Sequence, residues 1–291
     1  MSDPNLCPVC KVAFRSLRHP WLFGCPSCGF LAADLDIRIA SDIARQAIDE
    51  DKRTAGLQPL RRAAFERVLD LVATVSGGRA GRLLDVGCAH GWFLEAAAGR
   101  GFEACGIEPD VAIGNIARSH GLVVWSGLFP GDVPPDHTFD VIVFNDVFEH
   151  LPDPLATLAA CRRLLAPGGL LVISIPSSAG LFYRLADLLD RFGIDGPFER
   201  MWQKNFASPH LFYTTPEHLK TLAGCQGFGL RHLSALPSVE IRGLWARLRY
   251  DRSSSPVASA AVWLAVVLLS PLLKLLPADI MLAVFAKGEG P

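Results

Sequence analysis

Two apolar runs joined through a glycine turn, the second ending on a carboxylate, constrain this chain more than any other feature. Residues 82–91 read Arg-Leu-Leu-Asp-Val-Gly-Cys-Ala-His-Gly, an amphipathic stretch runs from Trp92 to Arg100, and the next apolar run stops at Glu108, 21 residues after Gly87. That order is the pattern of a nucleoside-binding βαβ unit. Gly87 and Gly91 lack a Cβ, so the backbone can turn tightly and bring its N–H groups close to a ligand. Glu108, at the carboxyl end of the second strand, can accept hydrogen bonds from both hydroxyls of one ribose.

A dinucleotide site wants G-x-G-x-x-G, with glycines clearing a pyrophosphate. Here the order is Asp85-x-Gly87-x-x-x-Gly91, and a carboxylate at the turn suits a cationic amino-acid ligand instead. The ligand this implies is S-adenosylmethionine, with its ammonium and sulfonium charges. With Trp92-Phe93-Leu94 following, the segment resembles the first motif, D-x-G-C-A-x-G-x-F-L, of the class I S-adenosylmethionine-dependent methyltransferases. Phe139-Asp140-Val141-Ile142-Val143-Phe144-Asn145-Asp146 with Glu149-His150-Leu151-Pro152-Asp153-Pro154 looks like that family's fourth strand and E-H-x-x-D-P turn, and 165–176 like its L-x-P-G-G turn and fifth strand. The resemblance covers about residues 60–235. It implies cofactor contacts from Asp85, Gly87, Cys88, Ala89, Gly91, Glu108, Pro109, Gly127, Leu128, Asn145 and Asp146. Leu128 stands where the family often has a carboxylate, so adenine would be read by backbone and apolar groups.

Strands are expected at 82–86, 104–107, 122–125, 139–144, 170–176, 229–235 and 280–286. With helices between most of them, they give an α/β fold around a doubly wound, mostly parallel seven-stranded sheet. The expected organisation is a zinc-ribbon-like module over 1–35, a helical linker or lid over 36–80, the methyltransferase core over 81–240 with an insertion at 177–213, an amphipathic and apolar helical segment over 241–279, and the last strand and tail at 280–291. In the linker, helices are expected at 37–51 and 57–75.

Cys7-x2-Cys10 and Cys25-x2-Cys28 can bring four thiolates to a structural Zn2+. The alternatives are redox pairs or knuckles without metal. Cys88, Cys105, Cys161 and Cys225 read as small core residues. Around the ribbon, Lys11, Arg15, Arg18 and His19 with Phe14, Trp21 and Phe23 make a thin basic-aromatic patch. A net charge of −1 adds no general attraction for nucleic acid. The ribbon is therefore read as packing on the catalytic domain or a partner.

Methyl transfer is an in-line displacement, so the protein chiefly aligns a nucleophile and excludes water. If the acceptor must lose a proton, His210 and His150 are the candidate catalytic bases. Against that, His150 could simply cap the next helix and His210 could be a packing residue. The aromatic insertion suggests an acceptor pocket for an aromatic or lipid-like molecule, or only a cover over the sheet.

The tail carries Arg242, Arg247, Arg249 and Arg252 before a long apolar run, 257–276. A basic amphipathic helix beside such a run suits a membrane surface. A single crossing is disfavoured, because about 14 apolar residues precede Pro271, roughly 21 Å of helix, and because the last strand must return to the sheet. The expectation is a helical hairpin bent near Pro271 that lies on the membrane, covers the acceptor pocket or forms a homodimer. The first residues, Met-Ser-Asp-Pro-Asn, carry no secretory pattern, so a cytoplasmic protein is expected, peripheral on the inner face of the membrane if the tail binds it. The function expected is methyl transfer to a small-molecule or lipid-linked acceptor. The alternatives are an RNA- or protein-modifying methyltransferase that docks through its ribbon, and a non-catalytic binding module.

Overall fold

The computed structural model describes residues 5–38, 50–236, 244–249, 255–273 and 278–288. At its centre is a seven-stranded sheet built from β4 (Arg82–Val86), β5 (Glu103–Glu108), β6 (Val123–Ser126), β7 (Phe139–Asn145), β8 (Leu165–Pro176), β10 (Phe228–Leu236) and β11 (Ile280–Lys287). The spatial order is β10-β11-β8-β7-β4-β5-β6, and β11 alone runs antiparallel to its neighbours. Each expected strand is present within a few residues. The Pro-Gly-Gly turn differs: β8 begins at Leu165, and residues 166–169 bulge out where Phe139 pairs with Leu165 and Val141 with Leu170.

The central strands are buried on both faces, so they read as continuous apolar runs. Alternation still sorts their side chains. Leu83, Val141, Val143, Val172 and Val284 face α1 (Glu50–Ser76) and α2 (Trp92–Gly99), meeting Phe65, Val68, Leu69, Val72, Phe93 and Ala97. Leu84, Val86, Ile142, Phe144, Leu171, Ile173 and Phe285 face α4 (Pro154–Leu164) and α7 (Pro216–Cys225). Each buried Phe or Leu contributes roughly 1.5–3 kcal/mol. Of the four cysteines expected in the core, Cys88 and Cys161 are buried, Cys105 is half-buried, and Cys225 is exposed at the end of α7.

Helix starts follow their caps. The Asp110 carboxylate accepts from the N–H groups of Ala112 and Ile113 to open α3 (Val111–Ser119), Asp153 does so for α4 ahead of Pro154, and Thr215 opens α7 ahead of Pro216. His150 therefore caps no helix.

The N-terminal strands β1 (Arg15–Ser16), β2 (Leu22–Gly24) and β3 (Leu31–Ala33) form a second sheet, and its fourth strand is β9 (Phe212–Tyr213), from far along the chain. Within the insertion lie α5 (Leu181–Arg191) and α6 (Gly196–Met201). Tyr183, Phe198, Trp202 and Tyr213 are buried with Trp21 and Leu22 of the ribbon. Most of the insertion's rings are thus consumed in packing against the ribbon, which weakens aromatic content as a sign of the acceptor.

The linker helix expected at 37–51 lies mostly outside the described residues, and the one expected at 57–75 is part of α1. The tail forms α8 (Leu244–Arg249), packed on α1, and α9 (Pro256–Leu273), packed on α8. α9 runs through Pro271 to Leu273, and residues 274–277, where the expected hairpin would turn, lie outside the described residues. Among the described residues no helix is long and apolar enough to cross a membrane.

Candidate active site

Strand register brings the expected cofactor residues to one edge. Val86 pairs with Ile107 and with Phe144, and Glu108 with Ser126, so the carboxyl ends of β4, β5, β6 and β7 open on a common cleft. Gly87 has φ +71°, and a Cβ there would lie 2.7 Å from Val147 Cγ2; Gly91 has φ +79°, and its Cβ would meet Leu122 Cδ1 at 2.4 Å. The turn between them, through Cys88 and Ala89, is closed to larger residues at both ends.

Glu108 is buried, and its two oxygens accept from the N–H groups of Ala89 and Asp110, each at 2.9 Å. The β5 carboxylate is thereby locked to the β4 turn, with Pro109 half-buried after it. Burial raises its pKa above the usual range, against those two hydrogen bonds. Asp85 lies deeper still: burial pushes its carboxyl up to about 8, the Asn145 amide donating at 3.3 Å opposes this, and the Glu108 charge adds to it. A cation placed beside such a buried carboxyl favours its charged form. After β6, Gly127 (φ +144°) would press a Cβ into Asp132, whose Oδ2 accepts from Leu128 N–H at 2.7 Å. The Leu128 side chain is 56% exposed at the rim. Asp146 holds φ +55°, a rare conformation for a residue with a side chain.

The structure brings His150 and His210 together, ring centroids 4.9 Å apart, although 59 residues separate Pro209 from the His150 ring it binds. His150 Nδ1 donates to the Pro209 carbonyl at 2.8 Å, which leaves the lone pair on Nε2. Tyr213 spends its proton on Met201 O, so its oxygen accepts from His210 Nδ1 at 3.1 Å; His210 Nε2 then accepts from Gln203 at 2.9 Å. Both nitrogens of His210 are engaged, whereas His150 Nε2 has the unshared pair. Burial lowers both pKa values below the ordinary histidine range, more strongly for His210.

Two residues escaped sequence reasoning. Glu149 lies beside both rings, its Oε1 3.8 Å from His210 Nε2 and 4.0 Å from His150 Nε2, while its buried Oε2 has no hydrogen-bond partner among the described residues. Burial drives its pKa well up. These three groups could also hold a divalent ion. Arg61, on α1, stands 4.0 Å from Asp146 Oδ2 and acts electrostatically on Asp85, Glu149 and His150. Glu149 was visible in the E-H pair; Arg61 left no local signal.

The cysteine cluster has the size of a metal site. Sγ separations are 3.5 Å for Cys7–Cys28, 3.3 Å for Cys10–Cys25 and 3.7 Å for Cys10–Cys28, against about 3.8 Å for four sulfurs around zinc at 2.3 Å. Of its neighbours, Lys11, Arg15 and Arg18 are exposed, while the aromatic rings are buried or half-buried. Trp21 is buried, Phe14 packs near Phe30, and His19 stacks between Trp21 and Phe198 while Arg18 and His19 bind Asp190.

Residues 60–233 match a family described as a methyltransferase domain. Ubiquinone biosynthesis O-methyltransferase of Alkalilimnicola ehrlichii is 36% identical over 136 residues, 43% of this chain and 51% of that protein. The protein of the same name from Xanthomonas oryzae is 34% identical over 137 residues, covering 45% and 54%. The chain thus spans about half the length of these curated relatives. The plantazolicin methyltransferase BpumL, solved in complex with SAH, shares the fold at TM-score 0.54 and 12% identity, over 86% of this chain and 92% of that one. The sheet order, the strand-end cleft and the match over more than half its length agree: this chain belongs to the methyltransferase-domain family, among the class I S-adenosylmethionine-dependent methyltransferases.

Proposed function

We propose that the protein moves a methyl group from S-adenosylmethionine to a hydroxyl oxygen of a small, lipid-linked acceptor at the inner membrane surface. On the cofactor side Glu108 holds the ribose hydroxyls, the Gly87–Gly91 turn with Cys88 and Ala89 lines the nucleoside, and Pro109, Gly127 and Leu128 flank the adenine. Asp85, steadied by Asn145, faces the ammonium group, Asp146 borders the methionine side, and Arg61 answers the carboxylate. When bound, S-adenosylmethionine supplies an electrophilic methyl group on sulfur.

A hydroxyl acceptor needs its proton removed as it attacks, and His150 is the base. The Pro209 carbonyl fixes its tautomer, burial keeps the imidazole neutral, and Nε2 faces the polar cluster of Asp146 and Glu149. His210, held by Tyr213 and Gln203, packs behind it and bounds the acceptor side. The single observation that carries the reading is this neutral histidine with an unshared Nε2 pair, at the same strand-end edge as Glu108. The oxygen acceptor and its lipid character draw support from the name of the relatives and from α9, where Val257, Val262, Leu264 and Leu268 are exposed. Zn2+ in the Cys7, Cys10, Cys25 and Cys28 cluster would be structural.

The test is incubation of the full chain with methyl-labelled S-adenosylmethionine and fractionated cell extract. Label in the lipid fraction, resistant to acid in the manner of an ether, is expected. Label confined to RNA or protein would overturn the proposal, and binding without any labelled product would make the chain a non-catalytic module.

A further inference from the structure

The ribbon and the acceptor-side histidines share one hydrogen-bonded segment. β3 pairs with β9 through Leu31–Tyr213 and Ala32–Phe212. Just before β9, Leu211 is bonded twice: its carbonyl accepts from Ala33 N–H and its own N–H donates to Glu149 O, both at 2.8 Å. One residue therefore ties the ribbon to the turn that carries Glu149 and His150, and it directly follows Pro209, whose carbonyl orients His150, and His210.

A second tether runs through His218. Its Nδ1 accepts from Thr215 N–H at 3.2 Å, so its proton lies on Nε2, which donates to the Cys28 carbonyl at 2.9 Å. Phe30, two residues beyond Cys28, stacks on Phe212 and leans on His218, each with centroids 5.7 Å apart. The ribbon's own strands are two or three residues long. Strands so short hold no register by themselves, so the four-thiolate cluster must supply it.

We propose that the ion held by Cys7, Cys10, Cys25 and Cys28 is a positioning element for the acceptor side. It fixes β3, β3 fixes β9 and Leu211, and these set where His150 and His210 stand. The cofactor side has separate supports in β4, β5 and β7, so the two halves of the site respond differently to the metal. The consequence for turnover rests on the methyltransferase reading; the mechanical link does not.

The full chain, loaded with zinc, is stripped with a chelator and then given zinc back. Amide exchange at 149–151 and 211–214 is expected to accelerate at least about tenfold on removal and to recover on return, with β4 amides unchanged. The calorimetric Kd for S-adenosylmethionine should stay within about twofold. Unchanged exchange at 211–214 overturns the proposal. Should stripping unfold the whole chain, zinc-loaded His218→Ala decides: a local acceleration in the same segment, with kcat lowered and the cofactor Kd kept, supports it, and no local effect overturns it. Failure of the zinc-loaded protein to bind S-adenosylmethionine would sink the methyltransferase reading and leave the exchange result standing.

Discussion

Asp85 and His150 are held neutral by burial, and each has a consequence in solution. With its pKa pushed up to about 8, the Asp85 carboxyl is mostly protonated at pH 7. A cation arriving beside it favours the charged form. Cofactor binding at pH 7 should therefore release close to one proton and tighten as pH rises toward about 8. Calorimetry in buffers of different ionisation enthalpy reads the release, and Asp85→Asn should abolish it. For His150 the shift is downward, so the base stays competent below the ordinary histidine value of 6.5. The acidic limb of kcat/KM should fall below pH 6.5, and His150→Asn should lower kcat by about 10²–10⁴; a limb above 6.5 would contradict the assignment. The same shift makes folding weaken as pH drops through 6.5, because the unfolded chain takes up the proton first. Asp85 and Glu108 were legible as carboxylates at the ends of two successive strands because the glycine turn and the apolar runs that place them are local, although Asp85 meets Asn145 from 60 residues away. Arg61 was not, since its place over the cleft is set by how α1 packs on the sheet.

At the scale of elements, the central strands were legible to within a few residues, because continuous apolar runs and glycine or proline punctuation act locally. β9 was not. Two residues cannot show a period, and their partner strand lies about 180 residues away. Its union with the ribbon makes the contact between Arg18 and the insertion structural: Asp190 is almost fully buried and accepts from Arg18 Nε and His19 Nε2, each at 2.8 Å. Arg18 is itself 38% exposed, so solvent screens part of the pair. Arg18→Ala should cost about 1–2 kcal/mol, less than the loss of a fully buried partner. A denaturant midpoint shifted at constant slope measures this, and no shift would mean that water replaces the guanidinium.

Across the whole molecule, the large exposed apolar side chains of α9 are the feature hardest to reconcile with a surface meeting only water. Val257 is 80% and Leu268 70% exposed. If α9 lies on lipid, the full chain should float with anionic vesicles, and Leu264→Ser with Leu268→Ser should reduce the bound fraction several-fold, since each buried aliphatic side chain contributes roughly 1.5–3 kcal/mol. Equal flotation of both proteins would remove the membrane from the account. Composition disclosed the apolar run, whereas its packing on α8 is a tertiary contact that no local pattern encodes.

Leu236 pairs with Ile280 at the ends of β10 and β11, so the chain leaves the sheet and rejoins it at one point. That pairing works like a clasp. Whatever α9 touches, the stretch of chain that carries it starts and ends at one corner of the sheet, which keeps both ends of that stretch on the same side of any barrier. A methyl acceptor resting in that barrier would have to be lifted sideways into the cleft.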